Sequence, residues 1–210
     1  MRYFAGQNWL AWILLSLLSG RGKAGMKFCL ALLACLAAGA ASAAQSEEPS
    51  ITAPAGANQF CLRNPAFCQP REIASAPASA MAVLERVNRS VNNQIVPVQA
   101  RSDDEKREAN RDWRVALPGE GGNCVEYAWT KFMLLAWEGI PTGAMRFAQV
   151  RVPGSSEFHA LLLVRIQNTE VAMDNLTPII WPADKLQYEW VAVQNPANGW
   201  QWIKPADLTN

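Results

Sequence analysis

Three side chains in this sequence are of the types that acyl-transfer chemistry needs. Cys124 follows two glycines in GEGGNCVEYAWTKFMLLAWEGIP, His159 is the sole histidine and sits in EFHALLLVRIQ, and Asp174 ends TEVAMD. A thiol attacks a carbonyl as its thiolate, and a nearby imidazole can take the displaced proton and return it to a leaving group. A carboxylate on the other ring nitrogen fixes the tautomer. Each residue also has a plainer reading. A free cysteine is commonly a small buried hydrophobe, a single histidine can be a core-edge residue, and Asp174 can cap a turn through Asn175 and Thr177. What favours the chemical reading is that each candidate falls at the end of a structural element.

Those elements follow from the pattern of residues. Pro118 and the run GEGG break any regular structure before the cysteine. Residues 124 to about 138 contain no Gly or Pro, Ala128, Phe132 and Leu135 recur at helical spacing, and Gly139 and Pro141 close the segment. Asn123 suits the N-cap, which puts Cys124 at the first helical position. There the helix offers partial positive charge and free amide donors, and both favour a thiolate.

After residue 141 the period changes. Residues 144–152 alternate as a partly buried strand, and 157–167 hold a continuous apolar centre, as a central strand would. Residues 169–174 read as a shorter strand, and 188–194 and 199–204 as two more, joined by the NPAN turn. If 157–167 and 169–174 form a hairpin turning near Asn168, His159 and Asp174 lie near the same end of adjacent strands. A one-residue slip would reverse a side chain. Upstream, Met81, Leu84, Val87, Val91 and Ile95 mark an amphipathic helix over 79–95, ended before Pro97. The charged run 100–113 reads as a solvated helix or a long surface loop. Helices first and antiparallel strands after predict an α+β domain with its helices on one side of the sheet. Six of the nine tryptophans fall at or after residue 129, so the core should lean on them. Trp200 and Trp202 are expected either to form an exposed edge contact or to pack on the sheet. The Cys124 backbone N–H is a reasonable oxyanion donor. Asn93 and Gln94, amides at the end of the early helix, are candidates for a second donor.

The N-terminus reads differently. MKFCLALLACLAAGAASAAQ begins at Met26, runs through an apolar stretch and reaches Ala41-Ser42-Ala43, the order of a secretory signal peptide. Residues 1–43 are therefore read as an N-terminal extension plus signal, with cleavage near Ala43 and translation starting either at Met1 or at Met26. An uncleaved membrane anchor and a lipidated Cys35 are the alternatives. Residues 44–58, rich in Ser, Pro, Ala and Glu, read as a flexible tail, and 59–210 as the domain. Without stable membrane insertion after cleavage, the product is expected in the periplasm or medium, as a monomer. Four of the 19 basic residues lie before residue 44, with no acid among them, which leaves fifteen basic against 18 acidic side chains. No basic block with interleaved aromatics appears, and nucleic-acid binding is not expected.

Export changes how the cysteines read. Cys29 and Cys35 leave with the signal, and Cys61, Cys68 and Cys124 remain. Cys61 and Cys68, in FCLRNPAFCQP, are the natural disulfide pair in an oxidising compartment. Cys124 is left over. Structural zinc is not expected, for want of further ligands, since the chain has one histidine in total.

The blocks GGNCVEYAWTKFMLLAWEGIP, FHALLLVR and MDNLTPIIWP, with FCLRNPAFCQP and LERVNRSVNNQIVPV, together resemble the bacterial transglutaminase-like cysteine peptidases. The resemblance spans roughly residues 60–204. That family includes a periplasmic protease that releases a biofilm adhesin from the cell surface, and the blocks are similar to its small exported members. The resemblance implies a papain-like or transglutaminase-like core, with the nucleophile helix packed on an antiparallel sheet. It also implies that Cys124 is the nucleophile, His159 the base and Asp174 the orienting acid. Tyr127 and a lysine at position 131 match the family as well; both read either as orienting the helix or as edge packing.

The departures lie beside the cysteine. The family usually has Asp before it and a Glu-Asp or Asn-Asp pair after it; here the order is Asn123, Cys124, Val125, Glu126. Acidic residues there are associated with calcium in the adhesin-releasing branch. A hard cation wants several oxygen ligands, so no cofactor is expected and calcium is doubtful. Three functions stay open: an exported cysteine peptidase acting on a protein or peptide of the cell envelope, an acyl transferase with the same triad, and a non-catalytic envelope binding domain on the same fold.

Overall fold

The computed structural model describes residues 50–98 and 113–205. The expected leader, residues 44–49 and nearly all of the charged run 100–113 lie outside the described residues.

Among the described residues, three α-helices precede the main strands. They are α1 (Ala55–Arg63), α2 (Met81–Gln94) and α3 (Cys124–Trp137). The strands are β1 (Ser50–Ile51), β2 (Val96–Pro97), β3 (Gly121–Gly122), β4 (Met145–Arg151), β5 (Phe158–Ile166), β6 (Thr169–Met173), β7 (Trp181–Pro182), β8 (Glu189–Asn195) and β9 (Asn198–Ile203). Seven of them form one antiparallel sheet in the order β1-β9-β8-β4-β5-β6-β7. β2 and β3 form a separate parallel pair beside the start of α3. This is the α+β class that the order of patterns predicts. The helix and strand expectations for 79–95, 124–138 and the five long strands are met within a few residues.

The centre of β5, residues 160–164, is apolar because both its faces are covered. Leu162, Val164 and Ile166 join Met145 and Phe147 in the core that also holds Trp129, Phe132 and Leu135 of α3. Leu161 and Leu163 face the other way, into a second cluster with Ala148, Val150, Trp190 and Val193. Aromatic rings bind the first core together. Phe60 of α1 stacks on Trp129 with centroids 3.5 Å apart, and Trp129 lies 4.0 Å from Phe147 of β4. α3 ends where expected. Gly139 takes φ +86°, which suits glycine, and the Gly139 and Ile140 amides donate back to the Ala136 and Leu135 carbonyls.

The tail expected over 44–58 does not extend that far. β1 pairs with β9 at the sheet edge, and α1 begins at Ala55 and buries Ala57 and Phe60. Small residues there gave no bulky apolar pattern to read, although the buried face of α1 uses them. Trp202 is buried and meets Trp113 edge-on at 6.3 Å, and Trp200 is partly buried against the core, so both pack on the sheet. Cys61 and Cys68 form the expected disulfide. It ties α1 to the short turn that follows, and both cysteines are buried. Among the described residues no helix is long and apolar enough to cross a membrane.

Candidate active site

The start of α3 is held by a reciprocal cap. Asn123 Oδ1 accepts from the Val125 amide at 2.8 Å, and Glu126 Oε2 accepts from the Asn123 amide at 2.8 Å. Gly122 admits this turn, because a Cβ there would come within 2.9 Å of Ile95 and of Glu126. Cys124 follows as the first helical residue, half-buried, and is the free cysteine among the described residues.

The β5–β6 hairpin supplies the other two groups. It turns at Gln167, whose φ is +51°, and its ladder pairs Leu162 with Met173. Asp174 lies one residue past that pairing, on the side of the ladder that runs toward His159. His159 Nε2 lies 2.7 Å from Asp174 Oδ1, and both residues are buried. The Cys124 side chain lies near enough to His159 to act on the charge of its ring. With Nε2 engaged by Asp174, Nδ1 is the ring nitrogen left to the thiol. The structure thus brings together all three residues singled out in the sequence.

The carboxylate is bonded on both oxygens. Oδ1 also accepts the Leu176 amide at 3.0 Å, and Oδ2 accepts the Tyr188 hydroxyl at 2.7 Å. The loop after Asp174 is fastened to α2. Asn92 Nδ2 donates to the Asp174 carbonyl at 2.9 Å, and Asn88 Nδ2 donates to the Pro178 carbonyl at 3.1 Å. Tyr127, one turn along α3, donates its hydroxyl to the Ile95 carbonyl at 2.7 Å and so joins α3 to the end of α2.

These contacts set the charges. Burial disfavours a charged imidazole, but the hydrogen bonds and charges of Asp174 and Cys124 outweigh it, and His159 is raised to about 9. Burial pushes Asp174 upward, yet the bonds from His159, Leu176 and Tyr188 hold it below the usual carboxylate range. Burial, with the Asp174 carboxylate, pushes the Tyr188 phenol up. Lys131 is fully buried, and desolvation lowers its amine to about 7 against the opposing pull of Asp174.

Several of these residues were missed in the sequence. Asn88 and Asn92 lie among Leu84, Val87 and Val91 on the packed side of α2, and polar residues on an apolar stripe are the signal that could have found them. Lys131 and Tyr127, which the sequence matched to the family as orienting the helix or packing at an edge, are both buried on α3. Tyr188 gave no signal beyond opening a strand. Asn93 and Gln94, by contrast, are exposed on α2 and are not brought to the site. A surface groove of about 650 Å³, lined by Arg146, Arg165 and Glu170, contains none of the three residues. That groove is distant chemistry at most; the hydrogen-bonded cluster is the candidate site.

Calcium does not fit the residues around Cys124. Asn123 and Glu126 carry the oxygens there, and both are engaged in the helix cap; Val125 is apolar and buried. Among the described residues, no group of three or more His, Cys, Asp or Glu side chains could hold a metal ion.

The fold thus sets a cysteine at a helix start beside a histidine and an aspartate from a hairpin. Residues 47–209 match the model of the bacterial transglutaminase-like cysteine proteinase family, and the chain belongs to that family. Solved structures of LapG from Legionella pneumophila are similar. The calcium-bound form is 22% identical with a TM-score of 0.45, and an EGTA-treated form is 20% identical with a TM-score of 0.43. The calcium-bound match covers 55% of this chain and 65% of LapG, so it spans less than two thirds of that protein. No curated protein matches.

Proposed function

We propose that this protein is an exported cysteine peptidase that hydrolyses a peptide bond through Cys124, His159 and Asp174. The observation that carries the reading is the buried His159–Asp174 hydrogen bond of 2.7 Å, with Cys124 at the start of α3 acting on the same imidazole. Membership of a proteinase family supports a protein substrate. In the resting site the raised imidazole carries its proton near neutral pH. The thiolate attacks the scissile carbonyl, and the Cys124 amide at the helix start donates to the oxyanion. His159 gives its Nδ1 proton to the leaving amine, and the acyl group remains on Sγ. Water, deprotonated by the neutral imidazole, then releases the acid and regenerates the thiol. Asp174 keeps Nε2 protonated and the ring in place throughout.

Export rests on the leader sequence, and the buried Cys61–Cys68 disulfide supports an oxidising compartment. The substrate would then be a protein of the cell envelope, met by a monomer. The test is alkylation of Cys124 by iodoacetamide across pH, with labelling at that residue read by peptide mapping, in wild type and His159→Ala. Reaction persisting well below the roughly 8.5 of a free thiol, and lost without His159, supports the reading. An ordinary thiol profile in both proteins refutes it and favours a binding domain on the same fold.

A further inference from the structure

Lys131 stands on the same side of α3 as Cys124, Ala128 and Leu135, two turns beyond the nucleophile and about 10 Å along the axis. Its side chain has no exposure, and its Nζ has no hydrogen-bond partner. An uncompensated ammonium in such a place is costly, and proteins keep one only where another charge or a function offsets the cost. Here the offsetting charge is the Asp174 carboxylate, which acts on Lys131 electrostatically. Both carboxylate oxygens are already bonded, to His159 and Leu176 on one side and to Tyr188 on the other. Lys131 therefore acts on the carboxylate by charge and not by contact. α3 thus carries the nucleophile at its start and a buried amine further along, and the His159–Asp174 pair comes from the hairpin packed against it.

We propose that Lys131 is a positioning residue of this site, whose buried amine balances the Asp174 carboxylate and so sets how the proton is shared between Cys124 and His159. The assignment rests on the proposed triad. Besides Asp174, the titratable groups around this relay are His159 on β5, Tyr188 ahead of β8, and Cys124, Glu126 and Tyr127 on α3 itself. The direction follows from charge. A protonated Lys131 partly cancels the field of Asp174 at His159 and Cys124. Without it the field is uncompensated, and both groups hold their protons to higher pH. A lysine that merely filled space would leave that titration unchanged.

The experiment is Lys131→Met in the full chain, since Met replaces the stem without the charge. Iodoacetamide labelling of Cys124 is followed from acid to alkaline pH, beside a thermal melt. The acid limb is expected to move up by about half a pH unit or more, with the fold retained. A folded variant whose profile superimposes on wild type overturns the assignment while leaving the triad standing. A wild-type profile of an ordinary thiol overturns the triad and this assignment with it. If Lys131→Met does not fold, the lysine ε-carbon resonances of wild type and Asp174→Asn decide instead. Loss of the carboxylate should lower the Lys131 midpoint by a similar amount, and an unchanged midpoint overturns the proposal.

Discussion

The Tyr188 hydroxyl donates to Asp174 Oδ2 at 2.7 Å, on the opposite side of the carboxylate from His159. The acid is thereby held from β5 and from the segment just ahead of β8, and its ionised form gains a donor that water does not need to supply. Tyr188→Phe removes that donor and leaves Oδ2 buried without it. A hydrogen bond to a charged group contributes about 1.5–3 kcal/mol. Asp174 is held below its unfolded value, so its contribution to stability is present above that value and is lost as pH falls through the folded one. The variant should therefore unfold at a higher pH in an acid titration followed by circular dichroism. An acid midpoint equal to wild type would show that the bond carries no weight.

Asp174→Asn tests the charge of the same residue more directly than its geometry. The asparagine oxygen can still accept from His159 and from the Leu176 amide, and its NH2 can meet the Tyr188 oxygen. The ring orientation can then survive while the negative charge is lost. His159 is raised by that charge and its bond, so its imidazolium should become less favourable. Alkylation of Cys124 at pH 7 is expected to slow by about 10- to 100-fold, the equivalent of one or two pH units. Cys124→Ala, at a half-buried position, should abolish turnover with a stability change within about 0.5 kcal/mol. Equal labelling rates in wild type and Asp174→Asn would remove the carboxylate from the mechanism.

The sequence made the three candidate residues readable because each sits where a pattern changes. Asn123 stops a glycine run and caps a helix, and the apolar block of β5 gives way to a short hairpin turn whose partner strand ends just before Asp174. The surrounding support was less readable. Asn88 and Asn92 bond backbone carbonyls more than eighty residues away, and no local spacing encodes such a contact. Tyr188 reaches Asp174 only through the strand order, which places β8 beside β4 and not beside β6. α1 escaped notice because its buried face uses Gly56 and Ala57 beside Phe60 and Cys61, and so carries little apolar bulk.

Calcium chelation should leave the site unchanged. The oxygens beside Cys124 hold the helix cap at 2.8 Å, and a cation binding there would have to break both bonds. The alkylation rate of Cys124 and the melting temperature are expected to be the same with excess EGTA and with millimolar calcium. A calcium-dependent rise in either would mean that Asn123 and Glu126 exchange their capping role for metal binding.

Reduction should loosen one end of the domain only. The Cys61–Cys68 bond closes a seven-residue separation, so its effect on the unfolded chain is modest, about 2–3 kcal/mol at most for so short a loop. Cys61 and Cys68 are buried beside Gly199 of β9, and reduced protein should show faster amide exchange in α1 and β9 while α3 and β5 keep their protection. Uniform loss of protection across the domain would show that this bond supports the whole fold.

His159 and Lys131 give stability opposite dependences on pH. His159 is raised from 6.5 to about 9, so the stability it contributes is complete below pH 6.5 and is lost as pH rises through 9. Lys131 is lowered from 10.5 to about 7. Between those values the unfolded chain binds the extra proton, so stability rises with pH across that window and is lowest, on its account, below 7. Each group can contribute a slope of up to about 1.4 kcal/mol per pH unit, and between pH 7 and 9 the two oppose each other. Wild type should therefore show a shallow profile there. Lys131→Met should uncover the His159 slope, with stability falling from pH 6.5 to 9. His159→Gln should uncover the Lys131 slope, with stability rising from pH 7 to 10. Urea unfolding of the three proteins at intervals of one pH unit measures this, and parallel profiles in all three would show that neither group titrates as the buried geometry requires.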